Sequence, residues 1–290
     1  MLARLVAMAL GAAIVVQPAA GQGEIIIDTD DGAQAAYFAL TTTPIGALPS
    51  WVVYQLGDAS RRGTGVRAHF GNIDEEGDFA RRSLALGVDL RLGAGTVGLT
   101  GGYHDLVCDE QDLENQFPGA SIEVDCGGGF ILGANWASPL TRSSLGASGA
   151  TSFVLGLDVS LGFGMGDVLQ VSLEDPGGDD LDVDLGATSF SASVGLPLLL
   201  TARSGNVIFV PHLTPRAGFG HASFDVDSNV PGEDADSESE SGFRAMLGGG
   251  VGILFERSGF GFDVGFQKVF VDEGKLVIGV GVRQLFGTRS

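Results

Sequence analysis

Residues 275–290 read KLVIGVGVRQLFGTRS, and the spacing of the large residues in this stretch decides the fold. Leu276, Ile278, Val280, Val282 and Phe286 fall on one parity, while Gly279, Gly281 and Arg283 fall on the other. A period of two marks a strand, because successive side chains point to opposite faces. One face here is bulky and apolar, and the other is small or charged. Which of them meets water decides between a soluble sheet and a membrane barrel.

The same division recurs along the chain. Phe153, Leu155, Leu157, Val159, Leu161 and Phe163 oppose Ser152, Gly156, Asp158, Ser160 and Gly162. Phe190, Ala192, Val194, Leu196 and Leu198 oppose Ser189, Ser191, Ser193 and Gly195. Leu84, Leu86, Val88, Leu90 and Leu92 oppose Gly87, Asp89 and Arg91, and Phe260, Phe262, Val264 and Phe266 oppose Gly261, Asp263, Gly265 and Gln267. In a water-soluble sandwich the apolar face is the interior, and the polar face carries solvated side chains. A face so rich in glycine and so poor in lysine is a weak solvent surface. It suits the cramped inside of a narrow barrel whose aliphatic and aromatic face meets lipid.

Composition agrees. The 290 residues include 47 Gly and carry a formal net charge of -20, yet the mean hydropathy is +0.25. The apolar content excludes a disordered chain, and the absence of a triplet glycine period excludes collagen. Strong acidity disfavours nucleic acid as a partner, because phosphates would be repelled. The opening MLARLVAMALGAAIVVQPAAG has Arg4, an apolar run from Leu5 to Val16 and small residues before Gly21. That order predicts a secretory signal peptide over residues 1–21. No later run reaches the length of about 18 apolar residues that a spanning helix needs.

The connections supply an independent test. In order they read NIDEEGD, GAG, DLVCDEQDLENQFPGASIEVDC, SPLTRSSLGASG, GMGDVLQVSLEDPGGDDLDVDLG, TARSGN, DVDSNVPGEDADSESES, ERSG and VDEGK. Acidic loops alternate with shorter or less acidic turns, as when long outer loops alternate with short periplasmic turns and both barrel ends lie on the periplasmic side. The predicted strands are 62–71, 80–92, 95–105, 127–137, 150–164, 187–200, 206–224, 242–255, 259–271 and 275–286. Ten is favoured within a range of eight to twelve. Residues 22–61 are a separate N-terminal segment. In it AAYFALTTT and WVVYQL either add a strand pair to the barrel spanning 62–290 or form a periplasmic tail or partial plug.

On these features, over roughly residues 62–286, the chain resembles the small outer-membrane β-barrel proteins of the OmpA/OmpX type. The terminal GVGVRQLF is similar to the signal by which such proteins reach the barrel-assembly machinery, although Phe286 is followed here by four further residues. The resemblance implies an all-β, transmembrane, antiparallel up-and-down barrel in the bacterial outer membrane. It carries no catalytic motif, and no cofactor is expected.

Four groups of residues are candidates for chemistry. Cys108 and Cys126 flank the second outer loop, and in an oxidising compartment they predict a disulfide. Arg67, His69, Asp89, Arg91, Asn135, Asp158, His212, Arg216, Arg244, Asp263, Gln267 and Arg283 fall on the inward parity and predict a lumen network, since buried charges need partners. A narrow bore of this size is nearly filled by side chains, so the network closes the barrel; a narrow passive channel for water, ions or small solutes is the alternative. Asp179, Asp180, Asp182 and Asp184, with the run from Glu233 to Glu240, cluster as weak calcium or magnesium ligands do, and such cations would bridge lipopolysaccharide phosphates. They lack the spacing of a calcium loop, and acidic runs are commonly just solvated. Finally, His104 with Asp105 and His221 with Asp225 are the only groupings with catalytic residue types near the rim, and neither supplies a nucleophile. The reading is a monomeric barrel among outer-membrane lipid and lipopolysaccharide, non-enzymatic, with a structural or surface-interaction role.

Overall fold

The computed structural model describes residues 13–19, 22–28, 32–42, 56, 64–74, 79–108, 121–145, 150–174, 181–228, 236–270 and 276–286. Strands β1 (Ala13–Ala19) and β2 (Gln22–Asp28) pair only with each other, and helix α1 spans Gly32–Thr42. All the remaining strands join one antiparallel sheet: β3 (Thr64–Asp74), β4 (Phe79–Leu92), β5 (Gly95–Cys108), β6 (Ser121–Cys126), β7 (Gly128–Leu145), β8 (Thr151–Glu174), β9 (Leu181–Gly195), β10 (Leu198–Ser204), β11 (Val207–Ser228), β12 (Asp236–Phe255), β13 (Phe260–Val269) and β14 (Leu276–Phe286).

These twelve segments make ten staves. β6 and β7 are one stave interrupted at Gly127, whose N–H donates to Val168 O and whose carbonyl accepts from Leu106 N–H. β9 and β10 are one stave interrupted at Leu196 and Pro197, where proline cannot donate to a ladder and its carbonyl accepts from Gly156 N–H. The sheet closes where β14 pairs with β3, from Val277 opposite Ile73 to Phe286 opposite Thr64. Closure leaves no sheet edge within the wall. Gly93 and Gly205, at φ of 62° and 59°, open two-residue hairpins that fix Leu92 opposite Gly95 and Ser204 opposite Val207; a left-handed residue matches the twist of such hairpins, and glycine adopts it without penalty.

The period-two rows resolve as the sequence predicts. Leu86 is 64% exposed and Phe130 68%, whereas Asp158 and Asp263 are 0% exposed. Tyr103 packs edge-on against Phe130, and Phe219 lies 5.1 Å from Phe243. Near the opposite end Phe255 lies 6.2 Å from Phe260, and both are exposed. Two aromatic rows bounding an aliphatic band are the interfacial girdles of a membrane barrel. On β11 the band runs from Phe209 to Phe219, about the 9–11 residues that a tilted strand needs to cross hydrocarbon.

Inside, the lumen has three layers rather than one polar face. At the periplasmic end Leu56, Ala137, Val154, Leu199, Ile208, Val210 and Leu254 form a dry cluster. The charged residues form a belt above it. In the outer half α1 packs chiefly against β11 and β12, with Leu40 touching Met246 and Val269 and Phe38 lying 5.2 Å from Phe224. The expectation of a glycine-rich, ion-bearing interior thus holds for the belt and is corrected at both ends.

The N-terminal segment corrects a second expectation. The stretch read as strand, AAYFALTTT, is helical through Thr42, and Leu56, the last residue of WVVYQL, lies inside the bore rather than in an added stave. The physical reason is local. Ala36, Ala39 and Leu40 repeat at i, i+3 and i+4, which gives a helix one narrow face small enough to enter the barrel. Helical geometry also satisfies the backbone internally, so a segment without ladder partners can be buried. Among the described residues of 22–61, α1 and Leu56 lie within the bore, while β2 pairs only with β1.

Candidate functional site: the lumen belt and the outer rim

Inward glycines make room for inward guanidinium groups. A Cβ at Gly87 would sit 2.5 Å from Arg67 Nε, and one at Gly65 would sit 2.8 Å from Arg283 Nε. Across these glycines both arginines reach Asp89: Arg67 Nη1 lies 2.9 Å from Oδ1 and Arg283 Nε 3.7 Å from Oδ2, with all three side chains at most 5% exposed. Arg67 Nη2 also donates to Thr100 Oγ1 at 2.8 Å and to Asn135 Oδ1 at 3.5 Å. On the opposite wall Arg216 Nη2 lies 2.7 Å from Asp158 Oδ2, and Ser160 donates to the same carboxylate. A third group forms over Gly281, where an ideal Cβ would be 2.5 Å from both Asp263 Oδ1 and His69 Nδ1. His212 lies over Gly250, and buried Gln267 donates to Met246 Sδ at 3.7 Å.

The belt is therefore electrically balanced, with Arg67, Arg216 and Arg283 set against Asp89, Asp158 and Asp263, all buried. Balance is what a low-dielectric interior demands, because an uncompensated charge there costs several kcal/mol. Two predicted members stand apart from the belt. Arg91 is half-buried near the turn at Gly93, and Arg244 lies towards the outer rim, where its Nη1 donates to Phe243 O at 2.7 Å.

Sequence reasoning missed the contacts that hold the N-terminal segment. Arg81 Nη1 donates to Thr41 Oγ1 at 3.0 Å, and its guanidinium lies 5.0 Å from the centroid of the Phe38 ring. Thr42 Oγ1 lies 3.2 Å from Ser189 Oγ. Lower down, Arg142 Nη2 donates to Leu56 O at 2.8 Å. Gly220 faces α1 so closely that a Cβ there would sit 2.6 Å from Ala36 O. The signal for Arg81 was present in its parity, which it shares with Ser83, Gly87 and Asp89. A cavity of about 560 Å³ lies on the outer wall among Val66, Leu86, Val88, Leu99, Leu132 and Val282, all exposed, so it opens towards lipid.

Above the apolar band the pattern inverts. On β9 Asp182 and Asp184 point outward while Val183 and Leu185 are buried. Ser172 donates to Asp182 Oδ1 at 2.7 Å, and Asp184 stands opposite Asp227. Asp179 and Asp180 lie outside the described residues, and among the described residues no three His, Cys, Asp or Glu side chains gather at metal-holding distance. His104 points inward and is buried, whereas Asp105 is its neighbour on the strand and points outward, so these two do not converge. His221 and Asp225 share the outward face of β11, two alternations apart. Cys126 is half-buried at the end of β6, and the Cys108 side chain is outside the described set.

No family model and no curated protein matches the chain. Among solved structures it is similar to the attachment invasion locus protein Ail of Yersinia pestis, at 13% identity and a TM-score of 0.30 over 77% of this chain and 98% of that one. It is also similar to the outer-membrane protease OmpT of Escherichia coli, at 8% identity and 0.38 over 77% and 94%, and to LpxR of Salmonella typhimurium, at 12% and 0.34 over 76% and 100%. The fold rests on the chain's own geometry: ten antiparallel staves, closed, apolar outside and ion-paired within, the architecture of an outer-membrane β-barrel.

Proposed function

We propose that this protein is a closed barrel of the bacterial outer membrane that acts at the cell surface, as a structural or surface-interaction component of the envelope, rather than as a conduit. The observation that supports this reading is the filled bore, with a dry cluster at the periplasmic end, a neutral ion-paired belt and a helix in the outer half. The mature protein is a monomer surrounded by outer-membrane lipid and lipopolysaccharide. Strand β14 is the segment read by the barrel-assembly machinery, and residues 1–21 are a leader. In planar bilayers the purified protein is expected to show no steady stepwise conductance. Sustained openings of uniform size would instead favour the passive-channel reading.

Cys108 and Cys126 are proposed to be partners. They lie at the facing ends of β5 and β6, which brackets the second outer loop. Intact-mass measurement on protein taken from membranes is expected to give a chain beginning at Gln22 and lighter by two hydrogens than its reduced form. A mass that does not change on reduction, or one that includes residues 1–21, would count against the pairing or the leader respectively.

A further inference from the structure

The cavity of about 560 Å³ on the outer wall is an oblique trough set by strand register. Its lower bank is the cross-strand row Gln284, Val66, Val88 and Leu99, each opposite the next on β14, β3, β4 and β5. Its upper bank is the row Val282, Ala68, Leu86, Gly101 and Leu132. Between the banks Arg283, Arg67 and Thr100 turn their side chains into the bore, so backbone floors the trough. Ala68 and Gly101 are the cross-strand neighbours of Leu86, and their small size opens the upper bank. The trough starts at the periplasmic rim, where Phe260 is the first residue of β13 and stands opposite Gln284. It ends at Leu132, in the outer half of β7. From β13 to β7 it crosses five strand intervals, about 24 Å. Strands tilted by about 40° give that row a rise of about 15 Å, half the thickness of the hydrocarbon core.

From this geometry we infer that the trough holds one acyl chain of a glycerophospholipid of the periplasmic leaflet, with its phosphate at the turn below Phe260. The rise sets the leaflet, because a chain that starts at the periplasmic rim and climbs half the core stays within one leaflet. Banks without an outward charge suit hydrocarbon, and a closed ladder offers no strand edge to a peptide. Charge sets the headgroup. In the turn at 256–259, Glu256 is already paired with Arg203 at 2.8 Å, whereas Arg257 is exposed and pairs with no carboxylate among the described residues. Gln284 Nε2 donates to Ser258 O at 2.8 Å, which fixes this turn at the foot of the trough. A guanidinium placed there gives a phosphodiester a charge-assisted donor. A second copy of this chain fits worse. Two-fold symmetry about the membrane normal would lay the partner's banks across the trough, since the inclinations of facing walls oppose each other. The inference goes beyond the closed-bore reading and does not depend on it.

The test is native mass spectrometry of the whole protein released from detergent micelles. The probes are dipalmitoyl phosphatidylglycerol and dipalmitoylglycerol, which has the same chains and no phosphate. One phosphatidylglycerol is expected to stay on each barrel, at about tenfold lower lipid concentration than the diacylglycerol needs, the scale of one hydrogen bond to a charged group. Ala68→Phe with Gly101→Val fills the trough and is expected to abolish retention of that single lipid. Ala217→Phe, on the exposed face of β11, is expected to leave it unchanged. Arg257→Gln lies in an exposed turn, where folding is not at stake, and is expected to equalise the two lipids without loss of the diacylglycerol. A spread of several lipids that the filled trough does not alter would reduce the site to the ordinary lipid annulus and overturn the inference. So would equal retention of both probes by the unaltered protein, preferential retention of lipopolysaccharide, or a homodimer that the filled trough dissolves.

Discussion

Replacing Asp89 with alanine is expected to lower the unfolding free energy by about 3–5 kcal/mol, the usual consequence of removing one partner from a buried ion pair. Asp89 is the shared counter-ion of two arginines, with Arg67 Nη1 at 2.9 Å and Arg283 Nε at 3.7 Å. Without it Arg67 keeps its hydrogen bonds to Thr100 and Asn135, but the belt carries one net positive charge in a water-poor interior. The matched control lies at the periplasmic rim. Arg203 pairs with Glu256 at 2.8 Å and is 51% exposed, so Arg203→Ala is expected to cost no more than about 1 kcal/mol, because solvent already screens that pair. Urea titrations of both variants in one detergent, followed by tryptophan fluorescence, separate the two cases. A small loss at Asp89 equal to that at Arg203 would mean that water reaches the belt, and the closed-bore reading would fall with it. Asp89→Asn adds a finer check: it preserves shape and one acceptor, so a loss close to that of alanine would assign the effect to charge.

Much of this belt was legible from parity alone. Arg67, His69, Asp89, Asp158, His212, Arg216, Asp263 and Arg283 all face inward as their positions within alternating rows predicted, because a one-residue error would have moved whole rows to the wrong face. The ten staves and their turns were legible for the same reason, with Gly93 and Gly205 marking hairpins. What parity could not show was pairing across the bore. That Asp89 serves two arginines, while Asp263 meets His69 over Gly281, depends on the shear and tilt that closure imposes. Nor could it show what lies inside. AAYFALTTT contains aromatic and threonine residues that suit a strand, and the small face formed by Ala36, Ala39 and Leu40 tells for a helix once the narrow space beside Gly218 and Gly220 is known. The tall strands were underestimated because their upper parts lose the lipid-facing apolar row, with Asp182 and Asp184 outward on β9 and Asp225 outward on β11, and so read as loop next to the lipid-facing rows.

The assignment of the outer face is open to a direct test. Leu86→Arg places a cation near the middle of the apolar band on β4, where the leucine is 64% exposed. On a water-soluble protein, substitution of so exposed a residue stays within about 0.5 kcal/mol. On a barrel wall at the bilayer midplane the same change costs about 2–4 kcal/mol, since hydrocarbon solvates neither the guanidinium nor its hydrogen-bonding groups. Folding into phosphatidylcholine vesicles, followed by urea titration, is expected to show that larger loss. Leu92→Arg, on the same face but beside the periplasmic turn at Gly93, is expected to lose about 1 kcal/mol or less, because a long cationic side chain there reaches the interface. The depth gradient is the decisive quantity. Core packing would penalise both positions by buried volume, and a solvated surface would penalise neither; only a lipid-facing wall makes the cost of one charge depend on its height along the strand.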